Sequence, residues 1–109
     1  MKNINEIFNK NANFNKNKPL FWYKQNSDWV SMSWSEASNE KKKLTQILKT
    51  LKIKKGDKVS IIAPNSPRWC IADLSIMSLG GITVPGYTTS NEDELLYLLN
   101  HSESKIAFV

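Results

Sequence analysis

The stretch "GGITVPGYTT", residues 80–89, decides how the second half of this chain folds. Gly81 and Gly86 stand at the separation found in a phosphate-binding loop, with Thr88 two residues after the second, but Tyr87 occupies the place of the required lysine. Such a loop must curl so that its backbone N–H groups converge on phosphate oxygens. The intervening "ITVP" is rich in β-branched residues and reads instead as an extended strand. Gly80 and Gly81 then terminate the preceding helix, at the amino-terminal edge of a sheet, whereas ligands of open α/β sheets bind beyond the carboxyl ends of the strands.

Working outward from this strand, "KVSIIA" at 58–63 is a continuous apolar run suited to a strand buried on both faces. Ser66 is placed to cap a helix with Pro67 in its first turn, and that helix runs through "RWCIADLSIMSL". Ser90 introduces "NEDELLYLLN", whose three acids suit the positive end of a helix dipole, while Leu95, Leu98 and Leu99 are expected to face a core. "KIAFV" closes the chain as a third strand. The order β-α-β-α-β implies parallel strands joined by crossover helices.

The front half has a different texture. Residues 3–14 predict a short amphipathic helix with Ile4, Ile7 and Phe8 on one side. "PLFWYK" and "DWVSMSW", separated by "QNS", predict an antiparallel hairpin in which Trp22, Trp29 and Trp34 are read as packing groups. Ser33 with Glu36 forms a capping-box pattern, with Ser35 a competing cap. In the helix that follows, Leu44, Ile47, Leu48 and Leu51 make the apolar face, Lys41, Lys42, Lys43 and Lys49 the solvated one, and "KKGD" at 54–57 the end.

Composition narrows the class. A chain of 109 residues with 40% hydrophobic and 23% charged residues suits one folded domain rather than a disordered segment. The net charge of +5 is uneven: 12 lysines and five acids precede Lys58, and three bases and five acids follow from it. With Arg68 the only arginine and lysines scattered among asparagines, the reading is a solvated Lys/Asn surface and no nucleic-acid partner. No transmembrane segment is expected, which leaves room for peripheral contact with a membrane. Cys70 is alone, so neither a disulfide nor a cysteine metal site is expected, and a cytoplasmic location follows. Cys70 itself is read as a small core residue, and His101 as a helix-end histidine near the carboxyl-terminal dipole. Ser75 and Ser78 lack a nucleophile-elbow pattern, and neither Asp73 nor Tyr87 acquires a role from its neighbours. The loops at 63–67 and 85–90 lie at the ligand edge of the expected sheet, with turn chemistry the simpler account of their residues.

Residues 54–109 closely resemble the early part of the AMP-forming acyl-CoA synthetases. The resemblance is carried by Gly-Asp before the first strand, "WCIADL" in the first crossover helix and "VPGYTTS" at the end of the second strand, and "NSPRWCIADL" looks most like the long-chain fatty acid branch. It implies an α/β fold: an N-terminal hairpin and helix followed by a βαβαβ parallel-sheet start, an incomplete piece of the large N-terminal domain of adenylate-forming enzymes, with residues 1–109 all belonging to it. For the parent enzyme it implies ATP, Mg2+ and coenzyme A as cofactors and a fatty acid or similar carboxylate as substrate. The family's phosphate loop, ribose-binding aspartate and mobile-domain lysine have no counterpart in this sequence, so no catalytic, cofactor-binding or metal residue is assigned. The expectation is a truncated chain, inactive alone and binding none of these cofactors; the alternative is a non-catalytic interaction module with an exposed sheet edge. Its oligomeric state is not legible.

Overall fold

The computed structural model describes residues 3–109. The elements are α1 (Ile4–Phe14), β1 (Pro19–Gln25), β2 (Asp28–Ser33), α2 (Trp34–Thr50), β3 (Lys58–Ile62), α3 (Pro67–Ser78), β4 (Ile82–Gly86), α4 (Glu92–Ser102) and β5 (Ile106–Phe108). β1 and β2 form an antiparallel hairpin, and the other three strands form a parallel sheet in the order β4-β3-β5.

β3 is central, so its side chains meet neighbours on both faces. Val59 and Ile61 point to one face, where Leu48, Ile53, Ala72 and Ile76 complete a buried cluster supplied by α2 and α3. Ser60 and Ile62 point to the other, which α4 and its following turn cover: Ser60 Oγ lies 2.6 Å from Ser104 Oγ, and Leu98 approaches Ile62 at Gly86. A second cluster, built on Phe8, Ala12, Ala37, Ile71 and Leu74, joins α1 and the hairpin to the two larger helices.

Both helices on the first face end in the same hydrogen-bond pattern. In α3, Gly80 N–H donates to Met77 O and Gly81 N–H to Ile76 O, with Gly80 at φ 75°, a left-handed conformation that glycine adopts without penalty. In α2, Lys52 N–H donates to Lys49 O and Ile53 N–H to Leu48 O, with Lys52 at φ 63°. The expected stop at "KKGD" is therefore corrected: α2 ends at Thr50, because burying Ile53 against Leu48 outweighs the cost of a left-handed lysine. Gly56 and Asp57 act next, at the amino edge of the sheet. Asp57 O accepts Ile82 N–H, while the Asp57 carboxylate accepts Lys54 N–H at 2.7 Å and lies 3.3 Å from Lys105 Nζ. The Lys54 amide first, and the Lys105 ammonium with it, hold that carboxyl below the usual range.

Other expectations about burial and capping need correction as well. Lys41 is buried rather than solvated: its Nζ donates to Asn9 Oδ1 at 3.2 Å and lies 5.2 Å from the centre of the Phe8 ring. The buried stripe of α2 runs Ala37, Lys41, Leu48 and leaves Ile47 and Leu51 exposed, since α1 and α3 approach from the Lys41 side. On α1, Phe8 and Ala12 are buried while Ile4 and Ile7 are about half exposed. Trp22 and Trp29 project from the outer face of the hairpin, and only Trp34 of the three packs, 5.5 Å from Phe8. No residue of α4 is fully buried; Leu95, Leu98 and Leu99 are half covered, and its cap is Asn91, not Ser90.

The radius of gyration is 15.0 Å, above the roughly 13 Å of a compact domain of this length, in keeping with that thin cover. Burial, reinforced by the Lys42 charge, lowers the Lys41 pKa from 10.5. The unfolded chain then binds the extra proton over the window just below 10.5, so the Lys41 contribution to stability rises as pH climbs through that window. Chemical denaturation should place Lys41→Met within about 1 kcal/mol of the wild type near neutral pH, and Lys41→Ala about 2 kcal/mol below it through lost packing of the stem. The difference between wild type and Lys41→Met should shift toward the wild type as pH approaches 10.5.

Candidate functional site

The parallel sheet determines where a ligand can approach. β3 and β4 are neighbours in register, Ile62 beside Gly86, and their carboxyl ends release loops that diverge. The loop from β3 leads to α3 on the Val59–Ile61 face, and the loop from β4 leads to α4 on the Ser60–Ile62 face. Ligands of open α/β sheets bind beyond the carboxyl ends of the strands, the edge from which both loops emerge.

Residues 63–66 and 87–91 form the loops at this edge. Much of their polar chemistry is already committed. Ser66 Oγ accepts Trp69 N–H at 3.2 Å as the cap of α3, and Asn91 Oδ1 accepts Glu94 N–H at 2.8 Å as the cap of α4. Ser90 N–H donates to Tyr87 O, closing a turn that leaves Tyr87, Thr88 and Thr89 exposed. These three residues carry the exposed hydroxyls of the second loop. The glycines that imitate a phosphate loop serve packing. Gly80 ends α3 at the opposite edge, and a Cβ on Gly86 would come within 2.8 Å of Leu98 and 2.9 Å of Ile62. Gly86 thus lets α4 lie close to the strand.

A groove of about 620 Å³ opens on the α2–α3 face at the same end of the sheet. Leu44, Ile47, Ile61, Trp69, Ala72 and Phe108 line it, with Glu40, Lys43 and Arg68 among its polar residues. Its size and apolar lining suit an alkyl chain or a packed apolar segment. No sequence period announced it: its walls come from β2, α2, β3, α3 and β5, and Ile47, assigned to the core by its spacing, lines the opening instead.

The remaining candidates are placed as follows. Cys70 is exposed on α3, which corrects its reading as a core residue, since the buried face of that helix carries Ile71, Ala72, Leu74, Ser75 and Ile76. Partial burial and the nearby Asp73 charge push its thiol pKa up, away from the thiolate a nucleophile needs. His101 lies in the last turn of α4, its ring stacked on Tyr97 at 5.2 Å. Ser75 Oγ donates to Ile71 O at 2.8 Å and lies 3.3 Å from Lys41 O, so it joins α3 to α2. Among the described residues, no three His, Cys, Asp or Glu side chains gather into a metal-binding group.

With this geometry in place, similarity to known proteins decides the lineage. Residues 8–109 match the family described as AMP-binding enzyme. The chain belongs to that family. It is 31% identical over 80 residues to the long-chain-fatty-acid--CoA ligase FadD15 of Mycobacterium tuberculosis, covering 73% of this chain and 13% of that protein. With the mitochondrial acyl-coenzyme A synthetase ACSM3 of Rattus norvegicus it shares 32% identity over 89 residues, 80% of this chain and 15% of the relative. The N-terminal domain of FACL13 from Mycobacterium tuberculosis, in an inhibitor-bound crystal structure, superposes with a TM-score of 0.87 at 28% identity, covering 98% of this chain and 26% of that one. The N-terminal subdomain of Klebsiella oxytoca NpsA, in complex with 3-hydroxyanthranilyl-AMSN, shares the fold at a TM-score of 0.86 and 21% identity, over 98% of this chain and 26% of that one.

This AMP-binding enzyme segment spans 13 to 15% of the length of those two ligases. The α/β fold read from the sequence is the one the structure adopts, and the N-terminal domains of those structures share it. In this setting Gly86→Ala should lower stability by about 1–3 kcal/mol, because Ile62 is buried and α4 must move outward. Thermal unfolding of the two proteins measures the cost; an unchanged midpoint would contradict the close β4–α4 approach.

Proposed function

We propose that this chain is the N-terminal part of an AMP-forming ligase that activates a long-chain fatty acid and passes it to coenzyme A. The observation that carries the reading is the family match over residues 8–109 together with acyl-CoA ligases among the relatives. In the proposed reaction a carboxylate oxygen attacks the α-phosphorus of ATP, forming an acyl-adenylate and releasing pyrophosphate. The coenzyme A thiolate then attacks the acyl carbon and AMP departs. Mg2+ offsets the charge developing on the phosphates.

Within that scheme these residues supply scaffold. The parallel sheet positions the loops at 63–66 and 87–91, and the apolar groove beside α2 and α3 offers wall for an acyl chain or for further polypeptide. Long-chain preference is supported by FadD15 among the relatives, while a synthetase named for a mitochondrial setting marks the competing branch and compartment. The lone Cys70 supports a cytoplasmic location, and no described helix is long and apolar enough to cross a membrane.

The 109 residues alone are proposed to be inactive, since nucleotide chemistry in this reading belongs to polypeptide beyond them. Carboxylate-dependent exchange of labelled pyrophosphate into ATP tests this directly. The expected result is none for the isolated chain, and measurable exchange would place a nucleotide site here. The gene downstream of Val109 provides the complementary test: an in-frame Ser/Thr/Gly-rich loop supports the ligase, and a stop codon removes the activity from this polypeptide.

A further inference from the structure

The outer face of the β1–β2 hairpin is apolar, cationic and uncovered. The turn residues Asn26 and Ser27 both have left-handed φ, 51° and 71°, which suits a two-residue connection that keeps the strands tightly twisted and paired. Register then sorts the side chains. Phe21 faces Met32 and Tyr23 faces Val30 on the inner side, and Phe21 and Met32 pack against the second core cluster. Trp22 opposite Ser31, and Lys24 opposite Trp29, occupy the outer side. There Trp22 is 61% exposed and Trp29 65%, with Lys24 Nζ 5.4 Å from the Trp29 ring centre. Such exposure of two tryptophans on one strand face costs hydration free energy and marks a contact surface.

We propose that this face is a contact site for an anionic lipid surface. Tryptophan favours the water–hydrocarbon boundary, where its ring is apolar and its indole N–H stays wet, and lysine beside it meets lipid phosphate and carboxylate groups. The charge around the hairpin fits: Lys10, Lys16, Lys18 and Lys24 lie between Ile7 and Ser35, where Asp28 is the only acid. All four lysines are exposed, and Phe14, also exposed, adds a third aromatic ring where α1 leads into the hairpin. A two-stranded face without arginine lacks the charged groove with which proteins follow a nucleic-acid backbone. The inference stands on the hairpin and not on the acyl-CoA reading.

Flotation of the full 109-residue chain with vesicles tests it, using phosphatidylcholine alone or with about 30% phosphatidylserine. Phosphatidylserine should raise partitioning at least about tenfold, move tryptophan emission to the blue, and lose its effect as salt is added. Trp22→Ala with Trp29→Ala should lower partitioning at least about tenfold, and Lys24→Gln about fivefold, each with unchanged far-UV circular dichroism because these side chains lie outside the core. Equal binding to both vesicle types, no binding to either, or a double variant that partitions like the wild type would overturn the proposal. So would sedimentation showing a wild-type dimer that the double variant dissolves without any effect on vesicle binding, which would assign the face to a second copy. Oligothymidylate binding that depends on both tryptophans, with vesicle binding independent of them, would assign it to nucleic acid and overturn the proposal equally.

Discussion

β3 is bonded on both edges and covered on both faces, and the sheet and the helices that cover it are arranged around it. Its Val59–Ile61 side requires a thick apolar cover, which α2, the turn after it and α3 provide through Leu48, Ile53, Ala72 and Ile76. Its Ser60–Ile62 side is met more lightly, through one short hydroxyl contact to Ser104 and the leucines of α4. Fully burying a leucine- or isoleucine-sized side chain contributes about 1.5–3 kcal/mol, so the first face dominates the stability of the sheet. The second holds α4 in place without sealing it.

That asymmetry separates structural from functional ends. At the amino edge, Gly80, Gly81, Asp57 and Lys105 are engaged in helix termination and strand pairing. At the carboxyl edge the loops lead to opposite faces: Tyr87, Thr88 and Thr89 are exposed on the loop that leads to α4, and the apolar groove opens on the α2–α3 face. The motif-like glycines lie on the wrong side of this division for Gly80 and Gly81, and under a helix for Gly86. Their spacing is therefore a by-product of one strand with a helix end before it and a close-packed helix over it.

The second core cluster shows how polar residues enter a packed interface. Lys41 takes a core position on α2 because its long stem packs like an aliphatic chain while its ammonium reaches Asn9 and the face of Phe8. Ser75 reaches across to Lys41 O from α3, a contact that a small residue permits where two helices approach. Neither is marked by hydrophobic periodicity, which registers only apolar side chains. The same limit explains Ile4, Ile7, Ile47 and Leu51, apolar at helical spacing yet left exposed by the direction from which neighbours arrive.

What the sequence by itself determined is local and chemical: the Ser33–Glu36 capping box, Ser66 and Pro67 at the start of α3, the strand in "ITVP", the alternation of strands with helices, and the family. These depend on backbone preferences and neighbours within a few residues, which a string of residues records in full. What only the tertiary structure decided is which side of each element is covered: the buried Lys41, the exposed Cys70, the outward Trp22 and Trp29, and the groove between α2 and α3. Burial is set by the approach of segments distant in sequence, and an amphipathic pattern states only that a face exists, not which neighbour arrives to close it.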